Sequence, residues 1–453
     1  MQFTHFDDIV SHMETFTNLE KQTTHYTTRT YRLDRMHAIL KYIGHPELDY
    51  KKIHIAGSKG KGSTASFLAS ALHALGYKTG LYLSPHLVDY RERFTLGGTF
   101  FDDEMLIQAG NELFSRLEGF TFSDEWGETT PTTFELYTAY AFLLFSLAKC
   151  QWAVIETGLG GRLDATNTII PEASVLCPIE LEHTKILGNT IGAIAFEKSK
   201  IIKKGVPSFV GFETKEAYDV FKKEAREQGS PIRFLSQELE SYSYKTTKEG
   251  EKVSYVWKDG SSEHLSLKML GQVQAQNCAL ALLVLKTLGL TNEHTLEALE
   301  QNSLPGRFQK IGTEPDVFLD GAHTIHSLQG LFESFSQLYG KGNTLIYGAL
   351  EDKDHRGMCS LVLQYFDHII VSKPGSYKKS DISLIAETFK SLAKENHQDI
   401  GLFLVEDNQE ALSLALETTP GEKAILVCGS FYLAGGIKIA YDKLRRNNVP
   451  KLA

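Results

Sequence analysis

No stretch of the chain approaches the ~20 consecutive apolar residues that a helix needs to cross a bilayer, so no membrane span is expected. Cysteine is scarce. The five in 453 residues (Cys150, Cys177, Cys278, Cys359 and Cys428) lie far apart, with no C-x-x-C pair. An odd number without ligand spacing argues against a disulfide framework and for reduced thiols in a cytoplasmic protein. Excess positive charge is absent too: 47 Lys and Arg face 56 Asp and Glu, for a net charge of −9. That balance argues against nonspecific nucleic-acid binding, whose affinity comes from neutralising phosphates. Residues 1–8 have neither a basic start nor an apolar core, so no signal peptide is expected.

What remains is an ordinary globular composition, 42% hydrophobic and 23% charged. A chain this long exceeds one typical core, and two domains are the natural reading. Strand-like runs at 53–56, 79–83, 152–155 and 173–179 alternate with helical patterns, such as 132–149 and 191–202. Such alternation implies a mostly parallel, doubly wound sheet. Residues 233–270 break the rhythm with alternating Ser, Tyr, Thr and Lys around Lys248-Glu249-Gly250-Glu251 and Asp259-Gly260, a small β appendage with hairpin turns. The Pro305-Gly306 pair ends a first domain (1–302), and the rhythm restarts in a second (306–453), with strands at 317–320, 344–347, 368–372, 402–405 and 424–428.

The most informative stretch is Gly57-Ser58-Lys59-Gly60-Lys61-Gly62-Ser63, between an apolar strand and a helix. Glycines there let backbone N–H groups cradle phosphate oxygens at a helix N-terminus. Lys61 would reach the outer phosphates, and Ser63 would offer its hydroxyl to them or to Mg²⁺. The spacing departs from the Walker pattern, and the plainer alternative is a glycine-rich turn with two solvated lysines. Ligands of open α/β sheets sit beyond the carboxyl ends of strands. Ser84, Glu156 and His183 fall at three such ends. A hydroxyl, a carboxylate and an imidazole with phosphates favour Mg²⁺, although singly they read as a cap, a surface acid and a loop residue. Lys198 and Lys200, by spacing alone, read as a solvated basic face.

The segment Glu156-Thr157-Gly158-Leu159-Gly160-Gly161-Arg162-Leu163-Asp164-Ala165-Thr166-Asn167 resembles the E-x-G-x-G-G-R-L-D-A-T-N signature of the folylpolyglutamate and dihydrofolate synthases, a group of Mur-type amide ligases. Ser84-Pro85-His86-Leu87, Thr132-Thr133-Phe134-Glu135, Gln276-Asn277, Gly306-Arg307, Asp320-Gly321-Ala322-His323 and Gly429-Ser430-Phe431-Tyr432-Leu433 keep the family's order, so the resemblance spans nearly the whole chain. It implies an N-terminal P-loop-type ATPase domain with a mostly parallel sheet, and a smaller Rossmann-like C-terminal α/β domain. The implied activity is ATP-dependent ligation of L-glutamate to a pteroate or folate carboxylate by a monomer. By the resemblance, Ser84, Glu156 and His183 match magnesium ligands, and Lys198 a carbamylated lysine that helps hold a second ion. Residues 58–63 (Ser58, Lys59, Gly60, Lys61, Gly62, Ser63), Asn277, Arg307 and Asp320 match ATP contacts. Thr132, Phe134, Leu163, Asp164 and Ala165 match the pterin side, and His323 and Ser430 the glutamate. Lys61, His183, Lys198, Arg307 and His323 carry the implied catalysis. Four residues depart from the family pattern: Ser58 and Lys59 for Thr and Asn, Glu182 for Asp and Thr324 for Asn. Alternatives are a Mur-type ligase acting on a cell-wall precursor, and a catalytically silent nucleotide-binding relative.

Overall fold

A computed structural model describes residues 2–18, 32–126, 128–375 and 379–448. Its strands are β1 (Lys51–Ala56), β2 (Thr79–Tyr82), β3 (Phe94–Leu96), β4 (Thr99–Phe100), β5 (Trp152–Glu156), β6 (Ala173–Leu176), β7 (Ser208–Val210) and β8 (Ile232–Phe234) in one sheet. A three-stranded sheet holds β9 (Leu239–Thr247), β10 (Gly250–Trp257) and β11 (Ser262–Leu267), and a six-stranded sheet holds β12 (Gln309–Gly312), β13 (Asp316–Leu319), β14 (Thr344–Tyr347), β15 (His368–Val371), β16 (Gly401–Leu404) and β17 (Ala424–Cys428).

β1 is buried from Lys52 onward, and β2, β5 and β6 are buried throughout. Continuous burial on both faces belongs to central strands of a parallel sheet. Accordingly the order is β4-β3-β2-β5-β1-β6-β7-β8, parallel from β2 to β8, with β3 and β4 added antiparallel at one edge. The helix Thr133–Leu147 is buried almost all round and supplies Tyr137, Tyr140, Phe142 and Phe145 to the core. It packs so close to the sheet that a Cβ at Gly80 would stand 2.6 Å from the Phe145 ring.

The chain forms two compact units: Met1–Ser243 with Ser254–Leu265 and Gln276–Asn302, and Tyr244–Val253 with Ser266–Ala275 and Ser303–Ala453. In the second, the order β12-β13-β17-β14-β15-β16 is parallel except for β12, around a core including Phe318, Phe332, Phe335, Tyr347 and Phe389. β14 and β17 match their expected spans, whereas β6 stops at Leu176, before Pro178, which has no N–H to give a ladder. All five cysteines are buried and free of disulfides, and among the described residues no helix is long and apolar enough to cross a membrane.

Candidate active site

The turn after β1 is built around glycine. Gly57 has φ +156°, and a Cβ there would stand 2.5 Å from Cys177 Cβ. Gly60, at φ +81°, is the N-cap of the helix Lys61–Ala74, and a Cβ on it would overlap Asn277 Oδ1. Two residues 217 positions apart in sequence are therefore in close apposition, and Asn277 is itself buried. The N–H groups of Ser58 and Lys59 both donate to Pro178 O (2.8 and 3.1 Å), and Ser58 Oγ donates to Glu180 O at 3.0 Å. The segment after β6 thus latches the loop, and the Ser58 hydroxyl is engaged within the protein. Beyond Gly60, the first-turn amides of the helix point toward an N-terminus suited to an anion. Lys61 Nζ donates to Gly57 O (2.9 Å) and stands 4.0 Å from Glu156 Oε1.

β2 and β5 run parallel with Tyr82 opposite Ile155, so Ser84 and Glu156 emerge at the same end. Glu156 is buried and accepts the Ser84 N–H at 3.1 Å. Lys198 lies on the helix Ile191–Ser199, 2% exposed, and donates to Gly57 O (2.8 Å) and to Glu182 Oε1 (3.3 Å). A solvated basic face is therefore wrong for Lys198. It is wrong for Lys200 too, which pairs with Glu224 and stands 4.6 Å over the Phe196 ring. Burial pulls the Lys198 ammonium down to about 8 against the opposing pull of Glu182. Burial alone would raise the Glu182 carboxyl, but Lys198, Lys61, Lys59 and His183 together hold it at about 2. Glu182 is the residue that sequence reasoning noted only as a departure. Its signal was an acid one position from His183 in a loop already placed at a strand end. His183 is exposed, with φ +48°, at the head of the short helix Thr184–Leu187.

The signature loop wraps the end of the Lys198 helix. A Cβ at Gly161 would stand 2.8 Å from Glu197 O, and Arg162 N–H donates to that same oxygen. Asp164 is buried, and both its oxygens are engaged: Oδ2 accepts Leu159 N–H (2.8 Å), while Oδ1 accepts Thr166 N–H (3.0 Å) and Thr166 Oγ1 (2.5 Å). Its carboxylate fastens the loop that carries half-buried Leu163 and the buried Ala165. Thr132 caps the helix Thr133–Leu147 in a reciprocal pair with Glu135. Phe134 lies so close to the loop that a Cβ at Gly158 would overlap its ring.

In the second unit, β13 and β17 are parallel neighbours, and the turns after them are tied by Gly429 N–H to Ala322 O at 2.8 Å. Asp320 accepts the N–H groups of Phe308 and Ala322, both at 2.7 Å; burial raises its carboxyl and Arg307 opposes that rise. The Arg307 guanidinium lies 4.9 Å over the Phe431 ring. His323 Nδ1 is 2.7 Å from Gly321 O, which makes Nδ1 the protonated nitrogen. Ser430 is buried and accepts Tyr432 N–H. Thr324 caps the helix Ile325–Tyr339 through Ser327 N–H, so this departure from the family pattern serves the backbone. Arg307, Asp320, His323 and Ser430 thus gather at one end of this sheet.

Residues 55–285 match the Mur ligase middle domain, and residues 306–431 match the Mur ligase glutamate ligase domain. The folylpolyglutamate synthase of Lacticaseibacillus casei is 30% identical over 441 residues, 96% of this chain and 98% of the relative. The dihydrofolate synthase/folylpolyglutamate synthase of Escherichia coli K12 is 30% identical over 402 residues, 86% of each chain. The structure of Escherichia coli FolC in complex with DHPP and ADP superposes with a TM-score of 0.81 at 27% identity, covering 98% of this chain and 100% of that one. The chain belongs to the Mur ligase family, in its folylpolyglutamate synthase and dihydrofolate synthase group.

Proposed function

We propose that the protein joins L-glutamate to a pteroate or folate carboxylate using ATP, as a cytoplasmic monomer whose residues 1–302 bind ATP and whose residues 306–453 handle glutamate. The observation that carries this is the cluster of Lys61, Lys198 and Glu156 around the turn after β1, at the carboxyl ends of parallel strands. An acceptor carboxylate oxygen attacks the γ-phosphorus, and the bond to the bridging oxygen breaks to release ADP. The glutamate amine then attacks the acyl carbon, the bond to the phosphate oxygen breaks, and the amine loses a proton. The first step is phosphoryl transfer, in which positioning and charge neutralisation do most of the catalysis. Lys61 and the first-turn amides hold the phosphates, Lys59 adds charge beside them, and Asn277 supports the turn at Gly60.

Arg307 is assigned to ATP phosphate and Asp320 to the nucleoside. His323 and Ser430 are assigned to glutamate, with the protonated Nδ1 of His323 leaving Nε2 as the basic nitrogen. Among the described residues no group of three or more His, Cys, Asp or Glu side chains is gathered as a metal site. One carboxylate, one hydroxyl and one imidazole, from Glu156, Ser84 and His183, nevertheless fit an ion that keeps waters and takes oxygens from its substrate's phosphates. When bound, magnesium would neutralise charge on the transferring phosphoryl group. The depressed Lys198 amine suits carbamylation, which requires the neutral form.

The test is ADP release with MgATP and L-glutamate, comparing dihydropteroate with tetrahydrofolate as acceptor. Release that depends on both glutamate and acceptor is expected. Silence with both acceptors, in a folded protein that binds ATP, would overturn the reading.

A further inference from the structure

Arg35, on the helix Leu33–Ile43, is fully buried. All five of its N–H donors have acceptors: Nε to Glu135 Oε1 (2.9 Å), Nη2 to Glu135 Oε2 (3.1 Å) and Thr130 O (2.8 Å), and Nη1 to Glu128 O (2.7 Å) and Trp126 O (3.2 Å). The guanidinium also lies 3.9 Å over the Phe122 ring. A buried ion pair alone is weak grounds for a role beyond packing. Here, however, the fork grips three carbonyls of one segment as well as the carboxylate at its end. Glu135 passes the constraint on, because its Oε2 also accepts Thr132 N–H at 2.8 Å. Thr132 and Phe134 are the acceptor-side residues, and Phe134 presses on Gly158, two positions after Glu156.

We infer that Arg35 is the positioning residue of the acceptor-binding face. Through Glu135 and the carbonyls of Trp126, Glu128 and Thr130, it sets where Thr132 and Phe134 stand, and hence how tightly a pteridine-bearing acceptor is held. The inference rests on the folate-ligase reading for its ligand, but the grip on the segment is independent of it. Lysine at this position would keep the charge and lose the planar fork, so it cannot satisfy the carboxylate and three carbonyls together.

The experiment compares wild type, Arg35→Lys and Glu135→Gln by acceptor KM, ATP KM and amide hydrogen exchange across residues 122–135. In Arg35→Lys the acceptor KM is expected to rise about tenfold or more, given the steep cost of misplacing binding groups. ATP KM is expected to stay within about twofold, since the phosphate loop is untouched. Thr132 N–H should exchange faster. Glu135→Gln should move the same quantities in the same directions, and it carries the test if Arg35→Lys does not fold. A folded variant with wild-type acceptor KM and wild-type exchange overturns the inference, and so does a parallel rise in both KM values. If wild type turns over no pteroate or folate acceptor, the substrate reading fails, and exchange at Thr132 alone then decides whether Arg35 holds the segment.

Discussion

Replacing Gly60 by alanine probes the proposed phosphate-binding turn with a built-in control elsewhere in the chain. Gly60 has φ +81° and Gly76 has φ +85°, so either alanine variant incurs the left-handed backbone cost of about 1–2 kcal/mol. They differ in surroundings. A Cβ at Gly76 would meet nothing within 4 Å, whereas at Gly60 it would overlap the buried Asn277 amide. Gly76→Ala should therefore lower stability by the backbone amount alone and leave nucleotide binding unchanged. In Gly60→Ala either Asn277 leaves its packed position or the turn shifts, and the amides proposed to hold the phosphates shift with it. A loss of at least about 1.4 kcal/mol in nucleotide affinity, or tenfold, is expected on top of the shared stability loss. Urea denaturation separates the stability effects, and titration calorimetry with ADP and Mg²⁺ reads the affinities. Gly60→Ala binding ADP as tightly as Gly76→Ala would refute the reasoning.

Three further outcomes are expected. Lys61→Ala should abolish acceptor-dependent ADP release while retaining a wild-type circular dichroism spectrum, because among the described residues Lys61 Nζ makes loop-carbonyl bonds and a 4.0 Å pairing that the core does not need. Lys198→Ala should lose activity, partly restored by formate or acetate; intact mass showing an unmodified Lys198 in active protein, with full activity in the variant, would count against the carbamate. Burial, with the Glu180 charge adding, raises Glu213 from 4.5 to about 8 in the fold. The folded state then holds a proton that the unfolded chain releases, so this group's contribution is fully present below about 4.5 and is lost as pH rises toward 8. Glu213→Gln should keep the acceptor for Ile179 N–H and flatten that decline. Denaturation curves whose pH dependence between these limits is the same for both proteins would contradict it.

The strands were readable because central parallel strands are continuous apolar runs, and β14 and β17 fall on their expected bounds. The glycine-rich turn after β1 was readable because close approaches at Gly57 and Gly60 leave room only for glycine. Lys198 was not readable from its neighbourhood. The string Lys198-Ser199-Lys200 looks like a charged helix face, and only Gly57 and Glu182, brought from other strand ends, make Lys198 a buried partner. Arg35 was hidden for the same reason, since its carboxylate partner is 100 residues away. Local pattern reports which face a helix buries, but a buried charge is defined by what folds onto it. Asp164 shows the converse: its signature position is plain in the sequence, yet its hydrogen bonds serve the loop itself.

The most direct test of the central claim follows the acceptor carboxylate through the reaction. Acceptor labelled with heavy oxygen in its carboxylate is incubated with the protein, MgATP and L-glutamate, and the released inorganic phosphate is examined by mass spectrometry. Attack of that carboxylate on the γ-phosphorus, followed by amide formation at the acyl carbon, leaves a labelled oxygen on phosphate in step with ADP. Amide product accompanied by unlabelled phosphate would contradict activation through an acyl phosphate.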